Sequence, residues 1–533
     1  MDKKSKKSKS FGTGASRIAD GVLWLSLAGV LVKLVGLVFK IPLTNMIGDS
    51  GMGYFNSAYT VFTFFYTLSS AGLPVALSIS VSSCLARGEN SLAKKTFSVA
   101  VVMFSLLGVL LAAGMLAGSA PLANAVSNPL SRFAIAAMAP SLLFVCVSGA
   151  YRGYFQGRSS MSQTAISQII EALGKLIFGI SFAYYALNRG LPSPVVAAFA
   201  VLGITLSEAL SLIYLIIAGA GCKRIPHLRG DISAQRHTRS SIAKRLAAVA
   251  LPIGISSAVM SLSGLLDLGV VMNGLQRIGY RPEASNAMFG AYTSLAVPMF
   301  NMPAVLITPI ASAIVPYISS ALAEQNRKKA SAGAINCLKY ATVIAMPSAL
   351  GLSALARPIL SLFFDKELAR TAAPWLEILA IAIILVAYTN VSLAVMQSSG
   401  HTVAPVVIMT AGGAVKVISA YFAIEKYGMA GTPISSVICY GVMSVLAFAF
   451  LDKKLGIKIK LLPMTLIPLI ASVICASSAR MSYAFFYERL GSMAVIAAIG
   501  VGAVLYFAAL LVFGYVKKED LKMLSRREGN SNK

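Results

Sequence analysis

The sequence predicts an all-α integral membrane protein of about 14 transmembrane helices, arranged as two parallel-repeat six-helix lobes plus two C-terminal helices. Three observations lead there. Hydrophobic residues make up 57% of the 533 positions and charged residues only 12%, about half the charged share of an ordinary soluble domain. Long apolar runs recur from residue 21 to residue 515, many of about 18 residues or more, enough to cross a hydrocarbon slab of ~30 Å. Residues recur between the two halves of the chain at a constant offset.

The runs lie at roughly 21–43, 54–86, 96–118, 131–151, 162–187, 195–219, 245–273, 286–320, 333–356, 372–396, 404–425, 430–452, 460–481 and 491–515. In lipid the backbone must satisfy its own hydrogen bonds, so runs of this length are helices. A barrel would instead show alternating strands of about 10 residues. The first run follows a basic stretch, Lys3 to Lys9, but is too long for a signal-peptide core and more than a dozen runs follow it. The six cysteines (Cys84, Cys146, Cys222, Cys337, Cys439, Cys475) are scattered, without a C-x-x-C pair. They suit small apolar packing positions better than a disulfide framework or metal cluster.

A net charge of +27 is topology rather than a nucleic-acid footprint. Counted at alternate ends of the spans, 32 Lys and Arg fall on the N-terminal side and 10 on the other, with four of the 46 inside spans. By the positive-inside rule both termini are expected in the cytoplasm, with the basic segments facing anionic lipid. The expected organisation is a basic tail over 1–20, an N-lobe of six helices over 21–219, and a basic cytoplasmic connection over 220–244. A C-lobe of six helices over 245–452 follows, then helices thirteen and fourteen over 453–515 and a tail over 516–533.

The repeat supports two lobes. Gln156 precedes Lys175 by 19 residues, Gln397 precedes Lys416 by 19, and both pairs are offset by 241. Tyr59-Thr60 and Tyr292-Thr293 are a looser match, as are the segments opening at Pro74 and Pro303. Six spans per lobe is an even number, so both lobes enter from one side and the repeat is parallel. Gly72, Pro74 and Pro303 fall inside spans and are candidate hinges or gates, or else static kinks that shape packing.

Ionisable residues at membrane depth are functional candidates by default. Lys33 lies about twelve residues into the first span, ~18 Å deep. Lys40, seven residues on, approaches the far interface and either joins Lys33 in a cavity or snorkels to headgroups. Lys416 is similarly deep in span eleven. Glu171 and Lys175 stand four apart in span five, spaced for a helical ion pair. Glu208 in span six and Asp267 in span seven have no partner nearby in sequence; each is a candidate for a coupling cation or for charge balance. Lysines at depth beside few carboxylates suit an anionic group such as a diphosphate, whose desolvation fixed cations offset. Enzyme signatures such as a phosphate-binding loop or H-E-x-x-H are missing, and no connection is long enough for a nucleotide-binding domain.

Several stretches resemble a known family. Val32-Lys33-Leu-Val-Gly36-Leu-Val-Phe-Lys40-Ile-Pro-Leu, followed by Ile47-Gly48-Asp-Ser-Gly51-Met-Gly53-Tyr54, resembles the opening of the stage V sporulation protein B branch of polysaccharide exporters. So do Ser69-Ser-Ala-Gly72-Leu-Pro74-Val-Ala-Leu-Ser78, Arg152-Gly-Tyr-Phe-Gln156-Gly157-Arg158, and the stretch from Gly290 through Pro303 to Pro316-Tyr-Ile-Ser. The likeness covers about residues 15–515. That branch is similar to the MurJ-type lipid II flippases of the multidrug/oligosaccharidyl-lipid/polysaccharide superfamily.

The resemblance implies a multi-pass protein of the bacterial cytoplasmic membrane that flips an undecaprenyl-diphosphate-linked glycan precursor by alternating access. Lipid II for peptidoglycan or spore cortex is the leading substrate. The family uses a cationic cavity in its first lobe and an apolar groove near its last two helices. Lys33 falls on a basic family position, whereas Lys40 is displaced by one, and the flippases' arginines in helices two and eight have no counterpart here. Asp267 matches a helix-seven carboxylate that binds sodium in some members. The expected partners are the lipid-linked substrate, membrane lipids and cell-wall synthesis proteins, not nucleic acid. No cofactor is expected beyond a coupling cation, sodium or proton. The alternatives are a cation-coupled multidrug antiporter of the same superfamily, and a membrane-embedded glycan polymerase or assembly factor.

Overall fold

In a computed structural model of the protein, every regular element among the described residues is helical. The structure describes residues 4–70, 72–221, 235, 237–304, 307, 318–319, 321, 324–401 and 403–515. The Lys33 side chain, most of the 220–244 connection, Pro316 and the 516–533 tail lie outside the described residues. Nine stretches among the described residues are long and apolar enough to span a membrane, and three of them, Leu34–Ala86, Val403–Leu455 and Leu461–Val512, fold back on themselves. With the helix Arg239–Arg277 and the helix opening at Pro282, the crossings number fourteen.

The fold-backs follow from local backbone chemistry. The helix Lys4–Ser70 turns at Gly48, where φ 68 and ψ −176 fall in a region open essentially to glycine alone. That turn separates the first crossing from the second. The second is itself interrupted near Gly72 and resumes as Leu73–Ala86, with proline in its first turn. The fourth is split into Arg132–Met138 and Ser141–Gly157 around Pro140. Gly491 breaks the thirteenth crossing, Leu461–Leu490, from the fourteenth, Ala494–Val512.

The offset of 241 is visible in the backbone. Ser159 N–H donates to the Gln156 carbonyl and Ser160 N–H to the Phe155 carbonyl, both at 2.9 Å. Gly400 N–H donates to Gln397 at 3.1 Å and His401 N–H to Met396 at 3.0 Å. Ser159 and Gly400 both adopt left-handed φ, 57° and 82°, as helix-terminating residues commonly do. The same turn thus joins crossings four and five, and ten and eleven.

The chain divides into two compact units, Met1–Asn273 with Arg281–Gly290, and Gly274–Tyr280 with Ala291–Lys533. In the first, three glycines one helical turn apart make a smooth face. A Cβ on Gly153 would lie 2.6 Å from the Pro74 carbonyl oxygen and one on Gly157 2.8 Å from that of Ser78. Helices Ser141–Gly157 and Leu73–Ala86 therefore approach backbone to backbone, as small-residue stripes permit in membranes. A Cβ on Gly72 would collide with the Ala250 carbonyl, so the interruption is packed tightly against the seventh crossing. At the other end of the unit, Asn128 Nδ2 donates to Asn286 Oδ1 at 2.7 Å and to Ser57 Oγ at 3.0 Å, while Asn286 Nδ2 donates to the Ser50 carbonyl at 2.7 Å.

In the second unit the last two crossings pair with each other and lie against the ninth, Arg327–Ala354. Tyr506 donates a hydrogen bond of 2.8 Å to the Val343 carbonyl of that helix.

Candidate functional site

The fifth crossing, Met161–Asn188, carries Glu171 and Lys175 of a buried ionic network. Between Lys175 and Gly179 its winding loosens to a π-helical turn, a defect frequent at functional positions. The sixth crossing presses on this turn: a Cβ on Gly203 would fall on the Gly179 backbone, and one on Gly174 would lie 2.6 Å from Ser207 Cβ. The close approach brings Glu208 of the sixth crossing up to Lys175.

Four ionic side chains meet there. Lys175 Nζ donates to Glu171 Oε1 one turn earlier and lies 3.5 Å from Glu208 Oε1. Arg152 Nη2 reaches Glu171 Oε2 at 3.0 Å and Ser211 Oγ at 3.1 Å, while its Nε donates to Ser167 Oγ at 3.0 Å. The Arg152 side chain is 13% exposed and that of Glu208 3%. Crossings four, five and six are joined by a network of two cations and two carboxylates, formally neutral when all are ionised. Buried charges are sustained by such mutual pairing.

Lys175 also faces a cavity of about 210 Å³ lined by Val32, Gly36, Phe39, Lys40, Phe55, Tyr59, Ala172 and Ile204. Lys40 Nζ stands 3.5 Å from Asn56 Oδ1 on the second crossing. Among the described residues, then, Lys40 and Lys175 share one cavity, and Glu171 and Glu208 stand behind Lys175. Lys33 belongs to the same helix as Lys40, with its side chain outside the described residues. Lys416 lies half-buried in the second unit on Val403–Tyr427. Asp267 is buried in the first unit on the seventh crossing. Pro303 borders a cavity of the second unit, described below. Gln156 and Gln397 both end their helices at the repeated turn.

Arg152 was not legible as part of this group. The sequence places it just beyond a span ending near residue 151, whereas the helix continues to Gly157 and buries it. The usable signal was the stretch Arg152-Gly-Tyr-Phe-Gln156-Gly157, which has no Pro, Asn, Asp or Ser until Ser159. Glu208, without a partner on its own helix, finds one in Lys175 on the preceding crossing.

The second unit offers a different space, a cavity of about 1180 Å³ lined almost wholly by apolar side chains. Met299 and Pro303, Pro347 and Leu352, and Ile499 and Tyr506 represent its walls from the eighth, ninth and fourteenth crossings.

A fourteen-crossing all-helical protein with a repeated bundle and charges held at depth has the build of a membrane exporter of the multidrug/oligosaccharidyl-lipid/polysaccharide superfamily. Residues 18–322 match the polysaccharide biosynthesis protein family and residues 287–422 the MatE family. The first match covers more than half of the chain, which therefore belongs to the polysaccharide biosynthesis protein family, in the stage V sporulation protein B and MurJ branch of that superfamily. The stage V sporulation protein B of Bacillus subtilis is 26% identical over 520 residues, spanning 95% of this chain and 97% of that one. The lipid II flippase MurJ of the same organism is 22% identical over 532 residues, spanning 95% and 97%. The solved structure of a lipid II flippase MurJ in an inward closed conformation superposes with a TM-score of 0.71 at 14% identity, covering 92% of this chain and 98% of that one. The protein is a multi-pass membrane transporter of this superfamily.

Proposed function

We propose that the protein flips an undecaprenyl-diphosphate-linked glycan precursor, with lipid II as the leading substrate, from the inner to the outer leaflet of the bacterial cytoplasmic membrane by alternating access. The observation that carries this is the first unit's cavity with Lys40 and Lys175 on its wall. A pump for cationic drugs would draw its substrate to unpaired carboxylates, whereas here Glu171 is taken up by Lys175 and Arg152. Cations facing a low-dielectric cavity suit a diphosphate, which needs fixed positive charge to leave water. The apolar cavity of the second unit suits a polyprenyl tail, each buried methylene of which contributes about 0.8 kcal/mol. Two relatives of nearly the same length carry names that support the assignment, one a lipid II flippase and one a sporulation protein. The basic bias of alternate connections supports cytoplasmic termini.

The test is a leaflet assay. Cells depleted of other flippases and expressing this protein are treated with an external probe for lipid II. Outer-leaflet lipid II that returns with expression, and is lost in Lys40→Ala and Lys33→Ala while the protein stays in the membrane, supports the flippase. Stable protein without outer-leaflet lipid II excludes that substrate and directs the assay to other lipid-linked glycans. Drug resistance conferred on the same strain, with no glycan lipid moved, would favour the antiporter.

A further inference from the structure

The four-membered network has one feature that charge balance alone leaves unaccounted for. Glu208 is 2% exposed, and its Oε2 meets no hydrogen-bond donor among the described residues. Its neighbour is another acid: Lys175 Nζ bonds Glu171 Oε1 and lies 3.5 Å from Glu208 Oε1, so both carboxyls are drawn to one ammonium. Two carboxylates gathered on one cation repel each other, and a proton on one of them relieves the repulsion. Glu171 has two direct cation contacts, Lys175 and Arg152, whereas Glu208 has one, at 3.5 Å. The proton therefore belongs on Glu208.

We propose that Glu208 carries an exchangeable proton, and that taking it up leaves Lys175 free to hold an anion in the adjoining cavity. The inference rests on the anionic substrate proposed above. A proton leaves hydronium and an O–H bond forms on Glu208 Oε2, so the network passes from formal charge zero to +1. The charged or titratable groups around the pair bear on this step. Among the described residues they are Arg152 of the fourth crossing, Lys175 of the fifth, and Tyr59 and Tyr66 of the second. Lys40 of the first crossing lies across the cavity. Arg152 stays charged throughout and keeps Glu171 ionised, leaving Glu208 as the member that changes. Proton and anion then bind synergistically: each raises the affinity for the other by the same factor.

The experiment uses the full chain in lipid nanodiscs, with undecaprenyl diphosphate as probe. Calorimetry in buffers of different ionisation enthalpy counts the protons taken up on binding, from about pH 6 to pH 9. The expected result is an affinity that falls with rising pH, by up to about tenfold per pH unit for one linked proton, together with up to one more proton taken up than in Glu208→Gln. The variant should bind with only the weak pH dependence that the diphosphate itself contributes. Binding with the same proton uptake in both proteins would overturn the inference and leave the anion site standing. Failure of the wild type to bind the probe would overturn the anion site and the linkage with it. If Glu208→Gln does not fold, infrared difference spectra of the wild type decide the matter. A protonated-carboxyl band lost as pH rises supports the proposal, and no such band at any pH refutes it.

Discussion

The interiors of the two units differ although their helices repeat. In the first, crossings four to six hold Arg152, Glu171, Lys175 and Glu208 within one network beside a cavity of about 210 Å³. In the second, a cavity of about 1180 Å³ has walls that are nearly all apolar. The turn after Gln156 and the turn after Gln397 are the same in hydrogen bonding, so that turn did not impose this difference. It comes from side chains at repeat-related places. Lys175 is followed by a π-helical turn and meets carboxylates on its own and the next helix. Lys416 lies half-buried in a continuous α-helix, Val403–Tyr427. One unit thus gathers charge beside its cavity and the other lines its cavity with apolar side chains, a division that fits the amphiphilic substrate proposed above.

The severest way to break the charged side of this contrast is Glu171→Leu. It leaves Arg152 and Lys175 buried with one acid between them, which should cost about 3–5 kcal/mol and strongly reduce the protein recovered in the membrane, read by thermal unfolding in detergent. Unchanged stability would mean that water already solvates the network. Substitution at the packed crossing between residues 49–53 and 286–290 should rank close behind. Gly290→Val sets side-chain atoms onto the Asp49 carbonyl, and overpacking costs about 1–3 kcal/mol or more. Its readout is the same unfolding assay.

Smaller in stability but sharper in function is the set of lysines. Lys40→Ala removes a charge-assisted contact of about 1.5–3 kcal/mol, which is roughly ten- to a hundredfold in diphosphate affinity, with the fold intact. Lys33→Ala should likewise abolish complementation of a flippase-deficient strain. Lys416→Ala, in the unit assigned to the tail, should leave headgroup binding within about twofold of wild type; a loss equal to that of Lys40→Ala would erase the division between units.

On the apolar side, Ser348→Glu puts a carboxylate on the groove wall. Transport of a substrate with a long polyprenyl tail should fall while binding of a short-chain analogue persists. The mildest expected effect is that of Tyr506→Phe, which removes the bond to the Val343 carbonyl. About 1 kcal/mol of stability should be lost, detectable as a small drop in unfolding temperature without loss of transport.

The sequence made the membrane fold legible because apolar length is a local property, tested residue by residue against the thickness of a bilayer. The fourteen crossings were readable on those terms, the repeat at 241 from matched residues such as Gln156 and Gln397, and the family from the stretches that resemble it. So was the pairing of Glu171 with Lys175, since residues four apart on a helix share a face. Arg152 shows where such reading stops: a charge at the edge of an apolar run looks like the end of a span, and only the neighbouring helices reveal that it is buried. The partner of Glu208 was out of reach for the same reason. It stands on another helix, brought near by Gly174, Gly179 and Gly203 and by a π-helical turn that no periodicity announces.

By itself, then, the amino-acid order determined that the chain is helical, where it crosses, and that charges such as Glu171 and Lys175 lie within its spans. Those outcomes depend on hydrogen bonds and transfer energies within single segments. Tertiary structure alone decided which of those charges meet, which cavity they face and which space stays apolar. Such contacts join residues far apart in sequence, and their geometry is set by how closely two helix backbones can approach.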